Sequence, residues 1–138
     1  AINMGGIMMK IRRGTIRVRL PLNTRFFVQS FTNAAFLQRV TVQLPTGERR
    51  VFQGRGEGNI IGNATFRTPA SFRGLNHFPI TVTIEHSATG RTFTPSLVIK
   101  SCARMRRIPY KTIGIFSEDL VDRDFNDAVI TFSFFNRS

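Results

Sequence analysis

The chain has 138 residues, 20 Lys and Arg against 8 Asp and Glu, a formal net charge of +12, and 41% hydrophobic residues that include 14 Phe and no Trp. That length holds one core, not two, and its apolar, Phe-, Val- and Thr-containing composition excludes a disordered chain and favours strands. The single Cys102 excludes an internal disulfide, and no apolar run reaches the roughly 18 residues that a membrane-spanning helix needs.

Residues 1–13, AINMGGIMMKIRR, place apolar residues before basic ones, the reverse of a secretion signal. They are expected to form a basic arm, disordered or in part a tag remnant, whose Lys10, Arg12 and Arg13 are solvated charge. The expectation is synthesis in the cytoplasm without a signal peptide, with any extracellular action requiring release. Residues 14–138 are read as the folded domain.

Gly14 to Leu20, GTIRVRL, sets Ile16, Val18 and Leu20 against Arg17 and Arg19, the period of two that a half-buried strand produces. Arg25–Phe31 and Gln38–Leu44 are similar, and Pro45-Thr46-Gly47 followed by RRVFQ predicts a hairpin. Gly54–Gly62, GRGEGNIIG, reads as the most mobile stretch; its GxGxG spacing lacks the strand-then-helix setting of a phosphate loop. Phe78–His86 and Arg91–Ile99 predict a second hairpin across Ser87-Ala88-Thr89-Gly90, with Pro95 marking an edge or a bulge. YKTIGIF and AVITFSFF supply two further strands. No segment sustains the spacing of an amphipathic helix. Short strands with turns about every ten residues argue for an all-β, single-domain antiparallel β-sandwich of Greek-key or jelly-roll type. Cys102 has no Cys or His cluster near it and reads as inert and packed.

The last two strands flank the sequence SEDLVDRDFNDA, which holds five of the eight acidic residues, including all four Asp. So many carboxylates on one loop repel one another unless a positive charge sits among them. Arg123 and other basic side chains are one source, as a salt-bridge network. The pattern Asp122-x-Asp124-x-Asn126-Asp127 offers oxygen only, the preference of a hard cation such as Ca²⁺, ahead of the more strongly hydrated Mg²⁺. The helix–loop–helix calcium motif is excluded, because Asp127 stands where it requires Gly and Ser133 where it requires Glu. The charges of Glu118, Asp122, Asp124 and Asp127 would balance two Ca²⁺.

SEDLVDRDFNDAV resembles the calcium loop of the LecB-type fucose- and mannose-binding bacterial lectins, and LPLNTRFFVQSFTNAA resembles their second strand and sugar-specificity loop. The two motifs stand in that family's order, and the resemblance runs thinly from Gly14 onward, with a longer and more basic middle from about Arg49 to Arg107. It implies a β-sandwich in which two adjacent Ca²⁺ ions coordinate sugar hydroxyls directly. It implies Asn33, Glu118, Asp122, Asp124, Asn126 and Asp127 as calcium ligands. Asp119 would accept hydrogen bonds from the sugar, and Asn33, Ala34, Ala35, Asp122, Asp124 and Asp127 would contact it. In the family a hydroxylated residue at the position of Ala34 accompanies fucose preference and Ala accompanies mannose, so the resemblance leans to mannose. Phe36 replaces a usual Gly, either as an apolar wall beside the sugar or packed under the loop. The family also implies a homodimer or homotetramer in which a C-terminal carboxylate completes a partner's calcium site. Here that end is FFNRS, one residue longer and finishing in Ser138, with Phe134 and Phe135 as interface or core residues.

Two other classes compete with this reading. Seventeen Arg, with clusters at Arg12-Arg13, Arg49-Arg50 and Arg104 to Arg107, could serve nucleic acid or acidic glycans, although no nucleic-acid motif accompanies them. Paired carboxylates also serve glycoside hydrolysis, but a contiguous Asp-rich cluster suits ions better than it suits a protonated acid. His77 and His86 have no nucleophile in pattern, so the expectation is a binding protein and not an enzyme.

Overall fold

The computed structural model describes residues 2–4, 7–119 and 124–135. Every regular element among them is a strand: β1 (Ile2–Met4), β2 (Ile7–Met9), β3 (Arg12–Arg13), β4 (Thr15–Leu20), β5 (Arg25–Gln43), β6 (Arg49–Arg67), β7 (Phe78–Ser87), β8 (Thr94–Pro95), β9 (Leu97–Arg104), β10 (Tyr110–Glu118) and β11 (Ala128–Phe135). β1 and β2 pair with each other. The remainder form one antiparallel sheet in the order β3-β9-β10-β11-β5-β7-β4, with β6 on β5 and β8 on β7. The all-β antiparallel architecture expected from the alternating pattern is present, and it is nearly closed.

β5 organises the sheet. Its first part, Phe27–Thr32, pairs with β11, and its second part, Leu37–Gln43, pairs with β7. Along its opposite edge it pairs with β6 over almost its whole length, with register shifts between Ser30 and Gln38. The two strands expected at 25–31 and 38–44 are therefore one strand, bent at its middle by bulges, which re-aim a strand where pairing changes. Gly54–Gly62, expected as a mobile loop, lies inside β6 because the hairpin opened at Pro45–Gly47 keeps pairing with β5.

Closure comes from a seam around Gly14 and Ser96. Gly14 N–H donates to Ser96 O (2.6 Å), Ile84 N–H donates to Gly14 O (2.8 Å), and Ser96 N–H donates to Ile84 O (3.0 Å). Gly14 holds φ +76°, and a Cβ on it would meet Pro95 Cβ at 2.9 Å, so this junction requires glycine. The strand expected over Arg91–Ile99 is split here. Pro95 has no N–H to extend a ladder on β7, so only Glu85 and His86 pair with β8, and beyond buried Ser96 the chain pairs with β10 instead.

The core is built from the inward members of each alternation: Ile16, Val18 and Leu20 of β4, Phe26 and Val28 of β5, Ile80 to Ile84 of β7, Ile130 to Phe134 of β11. Phe26 stacks with Phe66 (5.4 Å) and packs on Phe134 (4.8 Å), so Phe134 is core, while Phe135 is exposed beside Tyr110. Cys102, expected to be packed, is exposed on β9, because the core ends before that part of the strand. Two neighbours on β5 test the alternation. Replacing fully buried Phe26 by Ala should cost about 3–5 kcal/mol, whereas Phe27→Ala, at a position 48% exposed, should cost under about 1 kcal/mol. Urea unfolding of both variants measures the difference.

Candidate functional site

The chain leaves β10 at Glu118 and re-enters the sheet at Ala128. Ser117 locks the base of this connection: its hydroxyl donates to Ala128 O (2.8 Å) and accepts from Ala128 N–H (3.1 Å), and Asp127 N–H donates to Ser117 O (3.1 Å). The carboxylates converge above that lock. Glu118, Asp124 and Asp127 place oxygens within 4.8 Å of one another. Glu118 and Asp127 are buried and Asp124 is exposed.

Backbone donors orient two of these groups. Asp119 N–H reaches Glu118 Oε1 (3.0 Å) and Asp127 Oδ2 (2.8 Å), and Phe125 N–H reaches Glu118 Oε2 (3.3 Å). Phe125 has a left-handed backbone, φ 53°, which costs a non-glycine residue roughly 1–2 kcal/mol. Its ring is buried, and that burial offsets the strain while holding the turn that brings Asp124 and Asp127 to the same place.

Burial raises the Asp127 pKa above the ordinary carboxylate value; a hydrogen bond shared with the Glu118 side chain and one from Asp119 N–H oppose the rise, and the Asp119 charge adds to it. Two like charges at this separation repel by about 3 kcal/mol at the effective dielectric of a partly buried site. Neither Asp124 nor Asp127 has an ion-pair partner among the described residues, and Arg123 lies outside them. A cluster of three carboxylates, with oxygen donors only and two of them fixed by N–H groups, fits a hard divalent cation of the calcium kind.

The bend of β5 meets this loop from the side. Asn33 N–H donates to Asp127 O (2.9 Å) and Asn33 Nδ2 donates to Asn126 O (3.1 Å), which ties two motifs more than 90 residues apart in sequence. Ala34 is buried and Ala35 exposed at the same bend. Phe36 lies over His86, with ring centroids 6.3 Å apart and planes within 17°, and His86 Nδ1 is hydrogen-bonded to Ser96 Oγ (2.8 Å), a structural role for that histidine.

The predicted residues Asn33, Glu118, Asp124, Asn126 and Asp127 are thus brought into one neighbourhood, with half-buried Asp119 beside them. Asp122 and Ser138 lie outside the described residues. The sequence reading missed β6 here. Gly58 N–H donates to Asn33 Oδ1 (2.8 Å), and Thr32 Oγ1 donates to Gly56 O (2.9 Å), so the glycine-rich segment forms a third wall of the site. The signal that could have found it was the 45–47 turn, since a hairpin opened there returns its second strand past the middle of β5.

Residues 18–136 match the profile of fucose-binding lectin II (PA-IIL). The chain belongs to that family. As a fucose-binding lectin II member it is a carbohydrate-binding lectin, of a family in which calcium dependence is typical. Comparison with curated protein sequences gave no match. Among solved structures, the Ralstonia solanacearum high-affinity mannose-binding lectin is similar at 24% identity and TM-score 0.63, covering 85% of this chain and 93% of its own. The Chromobacterium violaceum lectin CV2L in complex with alpha-methyl-fucoside follows at 23% identity and TM-score 0.63, covering 88% and 96%. The C-terminal domain of the BC2L-C lectin from Burkholderia cenocepacia has 21% identity and TM-score 0.61, covering 90% and 97%. At these identities the similarity is one of fold.

The carboxylate cluster should make the lectin's stability calcium-dependent. Millimolar Ca²⁺ is expected to raise the melting temperature of chelator-treated protein by several degrees, about 4–8 °C per kcal/mol of linkage being the scale for a domain somewhat smaller than this one. Asp127→Asn should abolish most of that rise, as differential scanning fluorimetry with and without Ca²⁺ will show.

Proposed function

We propose that this chain binds mannose- or fucose-type monosaccharide units by direct coordination of neighbouring ring hydroxyls to two adjacent Ca²⁺ ions, without catalysing any reaction on them. The observation that carries this reading is the meeting of the Glu118, Asp124 and Asp127 carboxylates with Asn33, from the motif that resembles the family's specificity loop. Asp122 and Asn126 complete the proposed ligand set, and Asp119 accepts from a sugar hydroxyl. Ring hydroxyls are weak ligands in water. They compete when they replace ordered waters on ions whose other ligands are already fixed, and the N–H donors around Glu118 and Asp127 supply that fixing.

Ala34 and Ala35 give the sugar a small-residue wall, and Ala34, lacking a hydroxyl, favours mannose over fucose in this proposal. Residues 14–138 form the lectin domain in this reading, preceded by the basic arm of residues 1–13, whose Arg12 and Arg13 pair with β9 at the edge of the sheet. It also includes a homodimer or homotetramer in which Ser138 is carried toward a partner subunit's calcium site, giving several sugar sites per particle and hence avidity on a multivalent surface. A chain made in the cytoplasm would have to be released to reach such a surface.

Calorimetric titration tests the proposal. Methyl mannoside and methyl fucoside should both give heat in the presence of Ca²⁺ and neither in excess chelator, with the mannoside tighter. Ala34→Ser should shift the ratio of the two dissociation constants toward fucoside by about three- to tenfold, the worth of one hydrogen bond to a hydroxyl. Calcium-loaded protein that gives no heat with either sugar would leave the ions structural.

A further inference from the structure

Away from the acidic loop, the sheet has a second charged feature, at the edge where β4 and β9 face each other. Val98 of β9 is buried, and residues at alternate positions along a strand share a face, so Lys100, Cys102 and Arg104 stand on the same side of β9 as Val98. Their β10 partners are Ile115, Ile113 and Lys111. Core-side positions that would ordinarily be apolar are thus cationic, and Arg104 and Lys111 form a directly opposed like-charge pair, an arrangement that destabilises a sheet unless an anion answers it.

Two clefts run along this edge. One, of about 530 Å³, is lined by Arg19, Arg104 and Lys111 together with Cys102, Asn76 and His77. The other, of about 430 Å³, is lined by Lys10, Arg12, Arg17 and Lys100. Among the described residues, seven cations line the two clefts and no acidic residue does. None of the seven has an ion-pair partner among the described residues. A single inward lysine would protect an open sheet edge; seven cations from four segments of the chain exceed that need. Arg104 and Lys111 stand at the opposite end of β10 from Glu118, about 23 Å away at the rise of a strand, while Lys100 and Arg12 are nearer, opposite Ile115 and, across β9, Ser117; no residue of the acidic loop lines either cleft among the described residues.

We propose that the β4–β9 edge is a second binding site, for a linear acidic polysaccharide carrying sulfate or carboxylate groups. The two clefts follow one another along β9, Lys100 of one and Arg104 of the other being about 13 Å apart, which suits a chain more than a single small anion. Arginine supplies paired N–H donors to each planar or tetrahedral anion. Single-stranded nucleic acid is disfavoured, because Phe134, the one Phe, Tyr or Trp among the described residues lining either cleft, is buried and offers no stacking face to a base.

The test is retention and affinity on heparin, a sulfated polysaccharide, and on polygalacturonate, a carboxylated one, with single-stranded and duplex oligonucleotides of equal charge alongside. Wild-type protein should bind at least one of the two polysaccharides in chelator, with affinity falling linearly on a log–log salt scale. Lys100→Gln with Arg104→Gln should weaken binding at least tenfold, as should Arg17→Gln with Arg19→Gln on the facing strand. The two pairs keep the test valid if thermal unfolding finds one of them misfolded. Arg49→Gln with Arg50→Gln, exposed on β6, should change it less than twofold. Equal losses from the β4–β9 edge variants and the β6 variant would assign the binding to diffuse charge and overturn the site. So would oligonucleotides binding as tightly as the polysaccharides, or no binding to either polysaccharide at physiological salt.

Discussion

The arrangement depends on one long strand serving two neighbours. β5 pairs with β11 in its first half and β7 in its second, and β6 follows its other edge throughout. Between Thr32 and Leu37 that edge passes from β11 to β7, and over the same stretch β5 is bulged against β6 on its other edge, which bends the strand. The position of these bulges decides where function can be placed. The bend is directed at the β10–β11 connection, so Asn33 reaches Asp127 and Asn126 through two hydrogen bonds, and β6 is carried along to place Gly58 on Asn33. A hydrophobic core that fixes β5, β7 and β11 therefore also fixes the distance between the acidic loop and the residues beside it.

Much of this was legible in the alternating residues. Ile16-Arg17-Val18-Arg19-Leu20 has an apolar face whichever partner it finds, and the burial of β4, β7 and β11 follows that period. The carboxylate cluster was legible because four Asp and a Glu within ten positions of a basic chain demand an electrostatic reason. The continuity of β5 and β6 was not. It arises from pairing between distant segments, which overrides the turn character of Gly54–Gly62 and the polar interruption at Thr32-Asn33. The division of 91–99 at Ser96 was only half legible: Pro95 announced an irregularity, but which strand lay on either side of it is a tertiary fact. Exposure of Cys102 likewise depends on where the core stops, and no local pattern encodes that.

Within the site, local geometry and electrostatics work against each other in a useful way. Burial pushes the Asp127 carboxyl toward its neutral form, while a hydrogen bond shared with the Glu118 side chain and one from Asp119 N–H favour the anion. The strained turn at Phe125 is held by a buried ring. Each of these costs is local. The ring burial offsets the strain at Phe125, and a divalent cation among the carboxylates would offset the crowding of charge, since the convergence that repels in the bare cluster would become ligation around the ion. A loop organised in this way has its carboxylates pre-oriented before the ion arrives, so less ordering has to accompany binding.

A net charge of +12 would by itself disfavour a divalent cation at the acidic loop. The distribution of charge limits that penalty. At physiological ionic strength the Debye length is about 8 Å, so cations at the far end of β10, about 23 Å from Glu118, are screened from the loop across nearly three such lengths. What the ion feels is the set of carboxylates within 4.8 Å of one another and the oriented N–H groups behind them. An anion at the Arg104–Lys111 end of the β4–β9 edge would likewise feel the nearby cations and little of the acidic loop, whereas Arg12, two strands across the sheet from Ser117, lies about 10 Å from it. Gathering the acids into one connection and keeping them off that edge lets one small β-sheet present two local fields of opposite sign, neither cancelled by the total.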